Sequence, residues 1–192
     1  AVDFADREIT EITCHAVGAH SLFPKTKTII DIGGQDTKVI SLDEKGKVMD
    51  FIMNDKCAAG TGRFLEVMAH ALETKIEELG ELSLQSRNVL RISSMCTVFT
   101  ESEVVSKIAE GAVREDIAAG IHKAIVDRIL TMARKVGINE EITLTGGVSK
   151  NIGVVETIKS RVQKELNVPQ DPQLTGALGA AILAQNYIKQ KR

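Results

Sequence analysis

The apolar positions of this chain change period several times, and each change marks an element. Over residues 6–20, Ile9, Ile12, Cys14, Ala16 and Val17 fall near one face, which predicts a helix stopped by Pro24. Thr28-Ile29-Ile30-Asp31-Ile32 is a short apolar run closed by Gly33-Gly34, the pattern of a buried strand ending in a tight turn. Thr37 to Leu42 and Lys47 to Met53 read as two more strands. Asp43-Glu44-Lys45-Gly46 joins them as a hairpin, so they run antiparallel beside the first. From Gly62 the period turns helical, with Phe64, Leu65, Val67, Met68 and Leu72 in one stripe. Further helices are predicted over about 75–87 and 101–110. The clearest covers about 116–136, where Ile117, Ile121, Ile125, Ile129, Met132 and Val136 recur every three or four residues and Gly137 closes the run. Glu141 to Thr145 is a strand that ends in a second double glycine, Gly146-Gly147, with a short helix from about Asn151. Val168-Pro169 reads as a short strand. A last helix begins near Gly176, and its small residues, Gly176-Ala177-Leu178-Gly179-Ala180-Ala181, permit close approach of another backbone.

Composition narrows the classes of function. Hydrophobic residues make up 43% and charged residues 26%, ordinary for a globular domain, and the net charge is −2. With 3% aromatic residues and no Trp, base-stacking platforms and a basic nucleic-acid footprint are both missing. No apolar run approaches the ~20 residues needed to span a bilayer. Three cysteines, an odd number, argue against a disulfide framework and for a reducing cytosol. The chain begins with Ala and carries no Gly/Ser-rich linker, which reads as a piece whose N-terminal part lies elsewhere.

Four segments carry candidate chemistry. In Asp31-Ile32-Gly33-Gly34-Gln35-Asp36-Thr37-Lys38 the glycines let a phosphate approach backbone N–H groups, Asp31 could hold Mg²⁺ through water, and Gln35 could orient an attacking water. A solvent-exposed hairpin turn is the competing reading. Gly146, Gly147, Val148 and Asn151 repeat the strand–Gly-Gly arrangement before a helix N-terminus suited to an anion or a ribose. Gly60-Thr61-Gly62 opens a helix whose amides and dipole favour negative charge, or is a glycine turn with a Thr cap. The fourth is the pair Cys57 and Cys96. Cys57 precedes a helix start, which stabilises a thiolate, and two chains related by a two-fold axis would supply the four thiolates of an iron–sulfur site. Two buried, inert thiols are the commoner outcome, and no C-x-x-C spacing supports zinc. Cys14 reads as core. His15, His20, His70 and His122 show no ligand spacing and read as structural or exposed. Glu101 and Glu103 read as neighbours of the Cys96 turn.

Taken together, Thr10 to Ala16, Asp31 to Lys38, Asn54 to Phe64, Phe99 to Val104, Leu144 to Val148 and Gly176 to Ala181 resemble the ATP-dependent activators of 2-hydroxyacyl-CoA dehydratases and the related ATPase subunits of benzoyl-CoA reductases. The resemblance covers nearly the whole chain. It implies an α/β fold of the actin/ribonuclease H-like ATPase type, a mixed sheet with an antiparallel hairpin and flanking helices. It implies ATP or ADP as ligand with Mg²⁺ and one 4Fe–4S cluster per homodimer, held by Cys57 and Cys96 of each chain, 39 positions apart (96 − 57). Asp31 and Gln35 would be catalytic. Gly33, Gly34, Gln35, Asp36 and Lys38 match the second phosphate motif and Gly146-Gly147 the adenosine motif, with Gly60 to Gly62 near the nucleotide. Residues 1–27 would be the last helix of an N-terminal lobe, otherwise missing with its first phosphate motif, and 28–192 the C-terminal lobe. The partners implied are a dehydratase or benzoyl-CoA reductase component and an electron donor such as ferredoxin or flavodoxin, in the cytoplasm. A non-catalytic dimerising fragment and a small-molecule kinase of the same superfamily are the alternatives.

Overall fold

The computed structural model describes residues 5–93 and 96–191; Ser94 and Met95, in the run before Cys96, lie outside the described residues. Helix α1 (Glu11–Leu22) leads into strand β1 (Thr28–Ile32), followed by the hairpin of β2 (Thr37–Leu42) and β3 (Val48–Asn54). Four helices come next: α2 (Gly62–Ala71), α3 (Leu79–Leu84), α4 (Thr97–Ala109) and α5 (Arg114–Val136). Strand β4 (Ile142–Thr145), a 3-10 turn (Gly147–Lys150), α6 (Ile152–Val162), β5 (Leu166–Asn167), a second 3-10 turn (Pro172–Leu174) and α7 (Thr175–Lys191) follow.

The five strands form one mixed sheet in the order β3-β2-β1-β4-β5. β2 is antiparallel to both β1 and β3, whereas β4 is parallel to β1 and β5 is parallel to β4. The hairpin follows from the Asp43–Gly46 turn: Gly46 takes a φ of +74°, and the Asp43 carboxylate accepts N–H bonds from Lys45 and Lys47. β1, β2 and β4 are buried along their whole length, as expected of strands covered on both faces. On one face Ile30, Ile32 and Val39 join Phe64, Leu65 and Met68 of α2, Leu79 of α3, Ile117, Ile121, Ile125 and Ile129 of α5, and Val154 and Ile158 of α6 in the main core. On the other face Ile29, Ile40 and Leu42 meet Ala16 and Ala19 of α1. The pleat therefore turns Asp31, two residues from Ile29, toward α1.

Element boundaries moved wherever a side chain intercepted the backbone. Helix α1 starts at Glu11 rather than residue 6 because the Thr10 side chain accepts the Thr13 N–H and caps it. The helix expected over 75–87 contracts to α3. Ser86, Arg87 and Asn88 leave the helical path and converge on the Asp116 carboxylate, which accepts the Ser86 hydroxyl and the Arg87 and Asn88 N–H groups. Helix α4 reaches back to Thr97, since both the N–H and the hydroxyl of Thr100 donate to the Cys96 carbonyl. The strand expected at Val168-Pro169 lies two residues earlier, where the backbone still has N–H groups to offer β4.

The small residues of α7 do bring a backbone close, and that backbone is α1. A methyl group on Gly179 would stand 1.8 Å from the Cys14 carbonyl oxygen, and one on Gly18 would stand 2.0 Å from the Thr175 carbonyl oxygen. The two helices cross at glycine on both sides of the contact, which leaves no room for Cβ atoms. Gly179→Ala is expected to destabilise the fold by about 1–3 kcal/mol although alanine is the better helix former, because the overlap forces the helices apart. Urea unfolding of the two proteins measures it, and equal midpoints would refute the contact.

Candidate nucleotide site

Three glycine turns converge on one cleft. The first closes β1 onto β2: the Gly33 N–H donates to the Asp36 carbonyl at 2.9 Å. The second is the start of α2. The Gly62 N–H donates to the Gly33 carbonyl and the Arg63 N–H to the Gly34 carbonyl, both at 2.8 Å, while the Thr37 hydroxyl donates to the Gly60 carbonyl at 2.5 Å. A side chain at Gly62 would meet the Gly33 carbonyl, the Gly34 Cα and a Val148 methyl, all at 3.2 Å. The third turn follows β4. Gly146 has a φ of +83°, and a methyl group there would stand 2.4 Å from the Ile32 carbonyl oxygen, so only glycine fits.

The cleft between these turns has a volume of about 370 Å³. Gly34, Gly62, Gly147, Val148 and Asn151 line it from the turns, and Leu65 and Ile76 give it an apolar wall. An apolar wall facing a floor of side-chain-free backbone suits a flat ring joined to a polar chain. Asn151 is also the N-cap of α6, accepting the Val154 N–H on Oδ1 at 3.0 Å. Gly60 and Thr61 are buried and do not line the cleft; the Thr61 hydroxyl donates to the Ala58 carbonyl instead of capping α2. The leading amides of α2, read from the sequence as an anion cradle, are spent on the Gly33 and Gly34 carbonyls. They clip the first turn to the helix.

Asp31, Gln35, Asp36 and Lys38 sit on the α1 side of the first turn, outside the lining of the cleft. Gln35 is exposed, Asp36 half-buried, and Asp31 and Lys38 buried. The Lys38 ammonium lies 2.8 Å from the Asp36 carboxylate, 3.0 Å from Glu11 and 3.4 Å from Asp31. Burial alone would lower the Lys38 pKa. Hydrogen bonds to Asp36 and Glu11 and the charges of Asp31 and Asp36 outweigh it and hold the group up at about 12. The Thr145 hydroxyl donates to the other Asp31 oxygen at 2.8 Å, tying the end of β4 to that of β1.

His15 also belongs to this cluster, which sequence reasoning missed. Its Nδ1 is buried without a hydrogen-bond partner and faces Asp31 at 3.6 Å, and its Nε2 faces Glu11 at 3.5 Å. The available signal was the spacing of Glu11 and His15, one helical turn apart in the stretch Thr10 to Ala16. Cys14 is core, as expected, and burial raises its thiol pKa, with the Glu11 charge adding to the effect.

Cys57 and Cys96 are both exposed. Cys57 stands in a loop ordered by the Asn54 amide, which donates to the Cys57 and Ala59 carbonyls at 2.8 and 2.9 Å. Cys96 is the N-cap of α4, and α4 packs against α2, the helix that follows Cys57. The two thiols thus precede neighbouring helices and face solvent.

A mixed sheet ordered 3-2-1-4-5, with glycine turns gathered at the ends of β1 and β4 around a cleft, defines an actin-like ATPase lobe. The chain belongs to the BadF/BadG/BcrA/BcrD ATPase family, which it matches over residues 1–184. It is 49% identical over 188 residues to the 2-hydroxyisocaproyl-CoA dehydratase activator of Clostridioides difficile, covering 98% of this chain and 71% of that protein. It is 48% identical over 180 residues to the (R)-2-hydroxyglutaryl-CoA dehydratase activating ATPase of Acidaminococcus fermentans, covering 94% and 69%. The Clostridium difficile activator solved with bound ADPNP superposes with a TM-score of 0.93 at 48% identity, over 99% of this chain and 71% of the other. No helix among the described residues is long and apolar enough to cross a membrane.

One polar group of the cleft is coupled to the core. His122 of α5 is fully buried beside Asn151. Neither ring nitrogen has a hydrogen-bond partner of good geometry, so burial dominates and lowers its pKa to about 4, with the nearby Ala118 backbone and Asn151 side chain offsetting only part of the effect. The folded chain keeps the ring neutral at a pH where the unfolded chain binds a proton. Stability is therefore expected to fall by up to about 3 kcal/mol as the pH drops from 6.5 to 4. The Asp43 and Asp116 carboxylates, lowered chiefly by backbone N–H bonds, weaken only below that window. Urea titrations at stepped pH should show a shallower slope for His122→Gln; an unchanged slope would refute the assignment. In the cleft, Gly146→Ala should weaken nucleotide binding at least tenfold by displacing the turn, measured by calorimetric titration with ADP.

Proposed function

We propose that this chain is the nucleotide-binding, electron-transferring part of an ATP-dependent activator of a 2-hydroxyacyl-CoA dehydratase. One contact carries the proposal: the turn that would face the phosphates, Gly33-Gly34, is hydrogen-bonded directly to the first residues of α2, five residues beyond Cys57. A change at the turn has a two-bond route to the loop that holds the thiol. In this reading the adenosine lies against Gly146, Gly147, Val148 and Asn151, and the phosphates run toward Gly33, Gly34 and Gln35. Asp31, buried behind the turn with Lys38 on one oxygen and Thr145 on the other, would hold Mg²⁺ through water. Gln35, exposed at the turn, would orient the attacking water, and Lys38 fixes the carboxylates of Asp31 and Asp36 in place.

Two exposed thiols per chain, one in the loop ahead of α2 and one capping α4, are chemically suited to half of a four-thiolate site. Cys57 and Cys96 from each of two chains would hold one 4Fe–4S cluster. When bound, that cluster supplies one-electron chemistry at low potential. The chain's own part is to present the thiolates, order the Cys57 loop through Asn54, and link it to the phosphate turn. The electron would arrive from a ferredoxin or flavodoxin and leave to the dehydratase. A benzoyl-CoA reductase component is the alternative partner; the close relatives named above are dehydratase activators, which favours the first.

Anaerobic native mass spectrometry with iron and sulfide analysis tests this reading. The expected species is a dimer with four irons and four sulfides, and Cys57→Ala should lose the iron while still binding ADP. A metal-free protein that retains ADP would refute the electron-transfer role and leave the nucleotide site standing.

A further inference from the structure

A second groove, of about 660 Å³, lies between helix α5 and the segment 86–93 that leads into Cys96. Its walls carry three exposed cations: Arg91 on the segment, and Lys123 and Arg128 on α5. The one carboxylate in the lining, Asp127, is already held by Lys123 at 2.7 Å and by Arg161 at 2.5 Å. Among the described residues neither Arg91 nor Arg128 has an acidic partner. An excess of uncompensated positive charge in a protein whose net charge is −2 is local, and it needs a reason.

The groove is placed between the two cysteine segments. On one side, Arg128 lies under the Cys57 loop, where a methyl on Gly60 would stand 3.3 Å from Arg128 Cγ. On the other, residues 86–93, in the run before Cys96, follow a fixed path. Asp116 anchors Ser86, Arg87 and Asn88, the Leu90 N–H donates to the Asp116 carbonyl, and Ser93 donates to the Glu103 carboxylate of α4. A methyl on Gly120 would stand 2.2 Å from the Leu90 carbonyl oxygen, so the segment rests directly on α5. The cations are thus held on ordered backbone. Val89, 53% exposed, adds an apolar contact beside them.

We infer that this groove is the docking surface for an acidic protein, and that its occupant is the electron donor. The inference rests on the electron-transfer reading above for the identity of the partner. Charge complementarity carries the surface itself: unpaired cations flanking both thiol segments attract a negatively charged face and bring it to the place where the electron enters. Such steering raises the association rate and fades as salt screens it.

The experiment measures binding of an acidic two-cluster ferredoxin to this protein by biolayer interferometry from about 20 to about 300 mM salt. Analytical ultracentrifugation and iron analysis are run on the same samples. Arg91→Glu combined with Lys123→Glu is expected to weaken binding at least tenfold at low salt, and salt should weaken wild-type binding in parallel. Lys45→Glu, an equal charge change on the distant β2–β3 turn, should leave it unchanged. Thermal melts confirm that the double variant is folded, and the salt series on the wild type stands as evidence should that variant not fold. Unchanged ferredoxin binding in the folded double variant, or salt-independent binding, overturns the proposal. So does loss of dimer in that variant, which would make the groove an interface between copies. Charge-dependent ferredoxin binding to a protein without iron would keep the surface and sink the electron-transfer reading instead.

Discussion

The two hydrogen bonds from the Gly62 and Arg63 amides to the Gly33 and Gly34 carbonyls are the constraint on which the site depends. They use a helix N-terminus in an uncommon way. The leading amides of a helix lack partners within it and are commonly left to water, a cap or an anion. Here they hold a tight turn, and that turn is the end of the central strand. Any group that shifts the turn must stretch these bonds or move α2. The close approach favours glycine at position 62, since a Cβ there would press at 3.2 Å on two backbone atoms and a Val148 methyl.

A buried ionic cluster supports the same turn from the other side. Lys38 draws together carboxylates from α1, from β1 and from the turn itself. Burying an ammonium is costly unless it is well paired, and this one has three partners. Removing Lys38 would leave the Asp31 and Asp36 carboxylates without their counter-charge behind the turn, whereas losing one carboxylate leaves the ammonium still paired with the other two. The cluster therefore fixes the geometry of the β1–β2 junction more than it adds to stability.

Much of this was legible from residue patterns. The strands, the hairpin and the long α5 follow from period and turn chemistry, and Gly33-Gly34 and Gly146-Gly147 announced themselves as strand-terminal turns. The close helix contact was readable from Gly176 to Ala181, although the partner helix was not. What could not be read is what depends on contacts distant in sequence. Asp116 shortens α3 from some thirty positions away, a pull that no local period encodes. His15 looked unplaced because its two neighbours, Glu11 and Asp31, come from different elements. The Gly60–Gly62 stretch looked like an anion cradle because its sequence cannot reveal that carbonyls 29 residues earlier (62 − 33) have already taken its amides.

The segment before Cys96 has a mechanical meaning. It is fastened to α5 through Leu90 and to α4 through Ser93, so only Arg91 and Ile92 lie between the two fastenings. Three backbone steps, fully extended, reach about 11 Å. While both fastenings hold, that length bounds how far the backbone of Ser93, and with it the Glu103 carboxylate midway along α4, can part from the start of α5.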